Sequence, residues 1–181
     1  MMRHKLRIAN LCTSGILLLG CSREAPDPKM HGSASLRLRP ITTPLAEPAI
    51  RRTVYVSIYS SIYWGIDAGE KPVELAATVS IRNVSSRFPL VLESVRYYDS
   101  AGKQVREYVS TPSELGSLAT VEFVIQKRDT TGGPGANFLV RWAGAPDMDE
   151  PLIEAVMVGQ TGNAGISFTS VGRVVKDEPI R

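Results

Sequence analysis

The stretch Val73-Glu74-Leu75-Ala76-Ala77-Thr78-Val79-Ser80-Ile81-Arg82 has the most regular alternation of side chains in this chain of 181 residues. Every second residue from Val73 to Ile81 is apolar, and all but one of the residues between them are polar. A period of two is the mark of a β-strand, because successive side chains point to opposite faces of a sheet. The stretch therefore predicts a strand with one face in a hydrophobic core.

The same period recurs on both sides of this strand. Further inward stripes are Val54, Val56 and Ile58; Val121, Phe123 and Ile125; and Phe138, Val140 and Trp142. Asp99-Ser100-Ala101-Gly102 has the composition of a hairpin turn, which predicts a return strand from Gln104 to Val109. About eight strands at turn spacings of 8–12 residues, without a helical pattern, predict an all-β fold, an antiparallel β-sandwich of immunoglobulin-like architecture. Trp142 and Phe123 are expected to anchor its core.

Two apolar strands depart from the simple pattern. Leu90 to Tyr98 has apolar residues on both faces, with Glu93 between them, and Leu152 to Val158 is expected to lie centrally in its sheet. A bulge near Glu93 would re-aim the side chains and turn this carboxylate to solvent. If Glu93 faced inward instead, burial would perturb its pKa and make it a candidate site residue.

The N-terminal stretch Leu18-Leu19-Gly20-Cys21 reads as a lipobox. A basic segment and a short apolar run precede it, which predicts a cleaved lipoprotein signal peptide over residues 1–20. Cys21 would then carry fatty acyl (palmitate) chains and anchor the protein to a membrane. Ser22, rather than Asp, follows the cysteine, a pattern resembling Gram-negative lipoproteins sorted to the outer membrane. This resemblance implies a bacterial cell-envelope protein on the periplasmic face of that membrane.

The rest of the chain divides by composition. Residues 21–50 are rich in proline and lack sustained periodicity, which predicts a flexible or disordered linker spanning roughly 30 Å on average. A partner-binding segment around Leu36-Arg37-Leu38-Arg39 is the alternative interpretation. The β-sandwich is expected over residues 51–176, and residues 177–181 would form a C-terminal tail.

Charge and residue counts limit the possible chemistry. Three of the 21 basic residues and none of the 18 acidic ones precede Cys21, so the mature chain would have 18 of each. That neutrality argues against nucleic-acid binding. Both cysteines, Cys12 and Cys21, and His4 lie at or before the lipobox, and His31 lies in the linker. We therefore expect no catalytic residues with His or Cys, no metal site of that type and no cofactor in the domain.

Several segments together resemble an uncharacterised bacterial family, the domain of unknown function numbered 3124. The matching stretches include Val54 to Ser60, Ser80 to Asn83, Val95 to Asp99, Glu154 to Met157 and Gly165 to Phe168. The most distinctive is Gly132-Gly133-Pro134-Gly135-Ala136-Asn137-Phe138, preceded by Arg128-Asp129. The resemblance covers roughly residues 52–175 and implies no catalytic roles.

Two segments are candidate binding sites. The glycine loop at Gly132–Gly135, with Arg128, Asp129 and Asn137, is either an anion-binding nest or a tight structural loop in which the polar side chains satisfy backbone groups. Tyr59, Tyr63 and Trp64 are either an aromatic binding surface or a cover for an open edge or end of the sandwich. A third segment, with Asp147, Asp149 and Glu150, lacks the spacing of a calcium loop and reads as a solvated acidic turn.

Three functions are open at this stage. The first is a non-enzymatic envelope lipoprotein whose tethered sandwich binds a partner protein or envelope component. The second is a carbohydrate or small-ligand binding module that uses the aromatic segment beside Trp64. The third is a hydrolase that uses two convergent carboxylates.

Overall fold

The computed structural model describes residues 37–41, 50–64 and 71–175. The predicted signal peptide, Cys21 and the C-terminal tail lie outside these residues. Within them the chain forms twelve strands. These are β1 (Leu38–Pro40), β2 (Ile50–Ser57), β3 (Ser61–Ile62), β4 (Val73–Arg82), β5 (Leu90–Tyr98), β6 (Gln104–Val109), β7 (Ser113–Leu115), β8 (Thr120–Ile125), β9 (Asn137–Gly144), β10 (Leu152–Thr161), β11 (Ala164–Val171) and β12 (Arg173–Val175).

The strands form two antiparallel sheets that enclose one core. Sheet 1 has the order β1-β7-β5-β9-β2-β12, with β6 also paired to β5. Sheet 2 has the order β11-β10-β4-β3, with β8 also paired to β4. Eight strands have six residues or more, and the other four have two or three. The predicted all-β sandwich is confirmed.

The core is built from the predicted inward stripes. Leu75, Ala77, Val79 and Ile81 of β4 are completely buried, and Val73 at the start of the strand is half-buried. Trp142 and Phe123 are buried as expected. A large apolar side chain contributes roughly 1.5–3 kcal/mol when it is fully buried, so these stripes account for much of the driving force for folding.

A bulge in β5 explains how a carboxylate fits in an apolar strand. The register between β5 and β9 shifts between Leu92 and Ser94, which is the position of Glu93. The Glu93 carboxylate leaves the core and lies 3.2 Å from Arg51 Nε and 3.9 Å from Arg141 Nη2. The predicted bulge is confirmed, and the carboxylate points outward.

Strand β1 differs from the prediction of an unstructured linker over residues 21–50. Leu38 pairs with Leu115 and is 8% exposed, and the Ile41 amide donates to the Pro112 carbonyl at 2.9 Å. Three residues are too few for a periodic signal in the sequence. The strand forms because a distant edge, β7, supplies its hydrogen bonds and buries Leu38.

The outer faces of both sheets carry ion pairs, which on sheet 2 include Arg82 with Glu154 at 3.2 Å. On sheet 1 the outer face carries ion pairs, such as Arg96 with Glu107 at 2.8 Å. Directly paired residues share a face of the sheet, so they form rows across the strands. One such row on the outer face of sheet 2 is made entirely of β-branched residues. This row consists of Thr169, Val156, Thr78 and Val124. Val156 and Val158 in the centre of this face are 37% and 47% exposed.

The last three strands link the two sheets. Gly162, with φ +54°, and Asn163 form the two-residue turn between β10 and β11. After β11 the chain crosses from sheet 2 to sheet 1 at Gly172, whose amide donates to the Ile153 carbonyl at 2.8 Å. A Cβ on Gly172 would lie 2.6 Å from Val54 Cγ1, so glycine allows the chain to cross close to the core.

The sandwich has two ends with different contents. We call the end where β2, β5 and β8 finish and β9 begins the loop end. The opposite end, where Ile50 begins β2, is called the base and includes the turns at residues 83–89, 116–119 and 145–151. No helix among the described residues has the length and apolar character needed to cross a membrane.

Candidate functional site

Three loops that are far apart in sequence meet at the loop end. Backbone bonds connect them, from the Ser60 amide to the Gly133 carbonyl at 3.2 Å and from the Ser100 amide to the Gly132 carbonyl at 2.9 Å. The structure therefore brings together the two candidate segments, because Ser60 lies directly after Tyr59. The loop end is accordingly the candidate functional site.

Ser100 holds the glycine loop in place. Its Oγ donates to the Gly132 carbonyl at 2.8 Å and accepts from the Gly135 amide at 2.8 Å. Gly133 has a φ of +72°, which favours glycine, and its carbonyl also accepts from Ser60 Oγ at 3.1 Å. These groups are bonded within the protein, as a structural loop requires.

Tyr97 lies directly beneath the glycine loop. Its side chain is completely buried, and its hydroxyl has no hydrogen-bond partner among the described residues. A Cβ on Gly132 would overlap this hydroxyl and lie 2.7 Å from Ala136 Cβ. Burial, and then the charge of Asp129, raise the pKa of Tyr97 to about 12. The neighbouring Ser60 opposes this rise in the pKa, although its hydroxyl does not reach hydrogen-bond geometry with Tyr97.

An ion pair between β6 and the segment that precedes the glycine loop lies in the same region. Arg106 Nη2 lies 3.2 Å from Asp129 Oδ2, and its Nη1 donates to the Tyr108 hydroxyl at 2.9 Å. Tyr108 stacks on Phe138, with 5.6 Å between ring centroids. Burial raises the pKa of Tyr108, against the opposing hydrogen bond and charge of Arg106. Asp129 also accepts from the Thr131 hydroxyl at 2.6 Å and from the Thr131 amide at 3.3 Å.

The predicted partners of the glycine loop are dispersed. Asp129 is bonded to Arg106 and Thr131, whereas the exposed Arg128 donates from Nε to the Gln126 side chain at 3.0 Å. Arg128 lines a shallow depression of about 340 Å³ together with Glu74, Gln126 and Lys127. Asn137 is half-buried at the start of β9, where it pairs with Ser57 and Tyr98.

The predicted aromatic segment separates into two parts. Tyr59 is 37% exposed and makes an edge-to-face contact with Phe168 of β11, 5.5 Å between centroids. It thus covers the open edge between the sheets. Tyr63 and Trp64 are 72% and 52% exposed at the loop end. A pair of neighbouring large aromatics on the surface is typical of a contact site.

The polar groups of the loop end form hydrogen bonds that hold its loops together. The exposed rings of Tyr63 and Trp64 are available for contact with another molecule. The described residues contain no cluster of three or more His, Cys, Asp or Glu side chains able to hold a metal. Glu150 of the acidic turn lies at the base, 3.8 Å from Arg52 Nε. Sequence reasoning missed Ser60, Ser100 and Arg106. Serines and an arginine in β-rich sequence have no distinctive spacing, and only the fold brings them together.

The described residues define an antiparallel β-sandwich domain whose loops form an exposed aromatic surface at one end. The chain belongs to the family described as "Protein of unknown function (DUF3124)", whose model matches residues 51–175. This confirms the resemblance found in the sequence. A search of curated proteins gives no match. A solved structure titled "Crystal Structure of Thermotoga maritima 1070" is similar, with 10% identity over 67% of this chain and 92% of that chain, and a TM-score of 0.41.

Proposed function

We propose that the protein is a non-enzymatic binding module of the bacterial envelope, anchored by lipid at Cys21, that contacts a partner protein through its loop end. The observation that carries this proposal is the exposure of Tyr63 and Trp64, 72% and 52%, beside the hydrogen-bonded loops. Aromatic side chains that bury on contact are the usual anchors of protein interfaces. The bond from Ser60 to Gly133 and the pairing of β3 with β4 hold the residues that precede Tyr63.

The position of the chain entry supports the same proposal. Residues N-terminal to Ile50, including the anchor at Cys21, precede β2 at the base. Strand β2 runs for eight residues from there toward the loop end. At about 3.3 Å per residue, this separates the loop end from Ile50 by roughly 26 Å. An N-terminal anchor therefore leaves Tyr63 and Trp64 accessible.

The experiment uses the full-length chain in cells. Chemical cross-linking is followed by measurement of the partner yield for the unsubstituted chain and for the double variant Tyr63→Ala/Trp64→Ala. We expect the yield to fall at least about tenfold, the effect of losing interface anchors worth more than 1.4 kcal/mol. Leu118→Ala is the matched control, since Leu118 is 68% exposed at the base. An unchanged yield in a double variant of normal abundance would contradict the proposal.

The anchor has a separate test. Cys21→Ser removes the acceptor thiol, so the variant should fail to incorporate labelled fatty acid and should leave the membrane fraction. If it remains in the membrane fraction as before, the lipid anchor is refuted, whatever the loop end binds.

A glycan is the second candidate partner, and the side-by-side exposure of Tyr63 and Trp64 favours it, since flat rings offer apolar surface to a sugar face. Soluble envelope glycan fragments should then lower the cross-linking yield of the unsubstituted chain. They should not lower the yield of the Trp64→Ala variant. Competition that is equal for both chains would remove this candidate.

A further inference from the structure

The edge of sheet 2 formed by β11 lacks the features that protect the other sheet edges. Among the described residues β11 pairs only with β10, and its eight residues include neither proline nor a charged side chain. The other edge strands are either short, as in β1, β3 and β12, or charged, as in β6 with Arg106 and Glu107 and β8 with Glu122. Natural proteins shorten, charge or cover exposed edges, because a free edge accepts another strand.

The turn before β11 determines which backbone groups face outward. In a two-residue hairpin the residues flanking the turn, Thr161 and Ala164, exchange both hydrogen bonds, and bonded and non-bonded pairs then alternate. Counting along the strand, this alternation makes Ile153 and Gly172 a bonded pair, and the Gly172 amide does donate to the Ile153 carbonyl. The N–H and C=O groups of four residues therefore point away from β10. These residues are Gly165, Ser167, Thr169 and Val171.

We propose that β11 pairs antiparallel with β11 of a second copy of this chain, about a two-fold axis at Phe168. In this register Ser167 faces Thr169 of the other copy, and Gly165 faces its Val171. All four outward residues then exchange both of their bonds, so one symmetric register satisfies the whole edge. Shifting the pairing by two residues in either direction leaves some of these groups unpaired.

The side chains of β11 are also compatible with those of β11 in the second copy. The strand carries no charge, so no like charges meet across the axis. Ser167 and Thr169 place hydroxyls opposite each other on the outer face, a favourable cross-strand pair. On the inner side, half-buried Phe168 would meet its counterpart beside Tyr59, which closes a part of the core that remains open in one copy. Val171 gains space opposite Gly165, which has no side chain.

The pairing would make the outer face of sheet 2 continuous between the two copies. The row of Thr169, Val156, Thr78 and Val124 would continue into Ser167, Val158 and Ala76 of the other copy. Because the strands are antiparallel, the two loop ends would point in opposite directions. The dimer would therefore present two separate copies of the Tyr63–Trp64 surface.

Disulfide trapping in the full-length chain tests this register. In a non-bonded antiparallel pair the Cα atoms lie about 4.5 Å apart, within the range of a disulfide. Phe168→Cys should therefore cross-link two copies on mild oxidation. Ile166→Cys and Ser170→Cys should each fail alone, because these positions face each other rather than themselves. The unsubstituted chain controls for Cys12 and Cys21.

A second pair of variants leaves Phe168 in place. Two differently tagged copies, one with Ser167→Cys and the other with Thr169→Cys, should cross-link to each other. Thr169→Pro should abolish this trapping when added to the Ser167→Cys copy, since it removes an outward N–H and leaves the bonds to β10. Its melting temperature should stay near that of the unsubstituted chain, whereas Ser170→Pro should lower it.

Three results would overturn the proposal. One is a folded chain that fails to cross-link at these positions. Another is equal trapping at residues 166, 168 and 170, which indicates random collision. The third is a disulfide from residue 168 to a foreign chain only, which would assign the edge to a different partner.

Discussion

The base and the loop end of the sandwich are both closed by hydrogen bonds, but the groups that make them differ. At the base, buried Asn83 donates from Nδ2 to the carbonyls of Phe88 (2.9 Å), Gly116 (3.1 Å) and Leu115 (3.3 Å). At the loop end, the small hydroxyl of Ser100 joins backbone groups of glycines packed against Tyr97. The base thus depends on an amide that reaches three carbonyls, and the loop end on a small hydroxyl together with a glycine at which there is no room for a Cβ.

This difference affects which substitutions each end can tolerate. At the base, the Gly116 carbonyl accepts from Asn83 Nδ2, and a Cβ on Gly116 would have no neighbouring heavy atom within 4 Å. Around Gly132 no such space exists. We therefore expect Gly132 at the loop end to be sensitive to added volume, and Gly116 at the base to tolerate it.

The largest expected effect comes from adding one methyl group at each end. Gly132→Ala should lower the free energy of unfolding by about 3 kcal/mol, because the Cβ would overlap the Tyr97 hydroxyl and overpack the core. Gly116→Ala, the matched control, should change it by less than about 0.5 kcal/mol. Urea unfolding measures both values.

The double variant Gly132→Ala/Tyr97→Phe tests the cause. Removing the hydroxyl should recover part of the loss, giving non-additive effects in a double-mutant cycle. Simple additivity, or equal effects of the two glycine substitutions, would show that the ends do not differ in packing.

The next effect concerns the pH dependence of stability. The pKa of Tyr97 is about 12 in the folded protein and 10.0 in the reference state. Above pH 10 the unfolded chain loses this proton while the folded chain keeps it, so stability falls as the pH rises. The loss from Tyr97 reaches about 2.7 kcal/mol at a pH well above 12, at about 1.36 kcal/mol for each pKa unit, and roughly 2 kcal/mol of it falls between pH 10 and pH 12.

Unfolding of the unsubstituted chain and of Tyr97→Phe across this pH range measures that contribution. The variant should lose less stability, and at pH 7 it should be at least as stable, since the buried hydroxyl has no partner among the described residues. Parallel pH profiles for the two chains would assign the alkaline loss to other groups.

The smallest effect belongs to the base. Leu118 has a φ of +58° and is 68% exposed, so its side chain contributes little burial in a backbone conformation that favours glycine. Leu118→Gly should raise the melting temperature, with a gain of about 1 kcal/mol. Ser117→Gly, at an ordinary φ, should instead have no stabilising effect. A loss of stability in Leu118→Gly would mean that the leucine side chain makes a needed contact.

The parts of this fold that could be predicted are those with local signals. The alternation in β4, the turn at Asp99 to Gly102 and the bulge at Glu93 are predictable because neighbouring residues decide them. The Asp99 carboxylate accepts from the amides of Ala101 and Lys103, and Gly102 has a φ of +78°, as the turn requires.

Other features depend on residues far apart in the chain. Among the described residues, strand β1 pairs with β7 alone, and its three residues carry no period. The proximity of the two candidate segments rests on the contact of Ser60 with Gly133, 73 positions later. Similarly, Asp129, in the loop after β8, pairs with Arg106 of β6 rather than with its neighbour Arg128. Such contacts follow from strand order, which periodicity does not specify.

The position of β2 also has a mechanical consequence. This strand lies between β9 and β12, and it pairs with β9 along all of its eight residues. A pull between Ile50 and a partner held at the loop end would act along the strand axis. The ladder bonds on both sides would then bear the load together in shear instead of opening one after another. Resistance to such a pull depends on the rate of unfolding, so this topology would suit a domain held at its N-terminus and at its loop end.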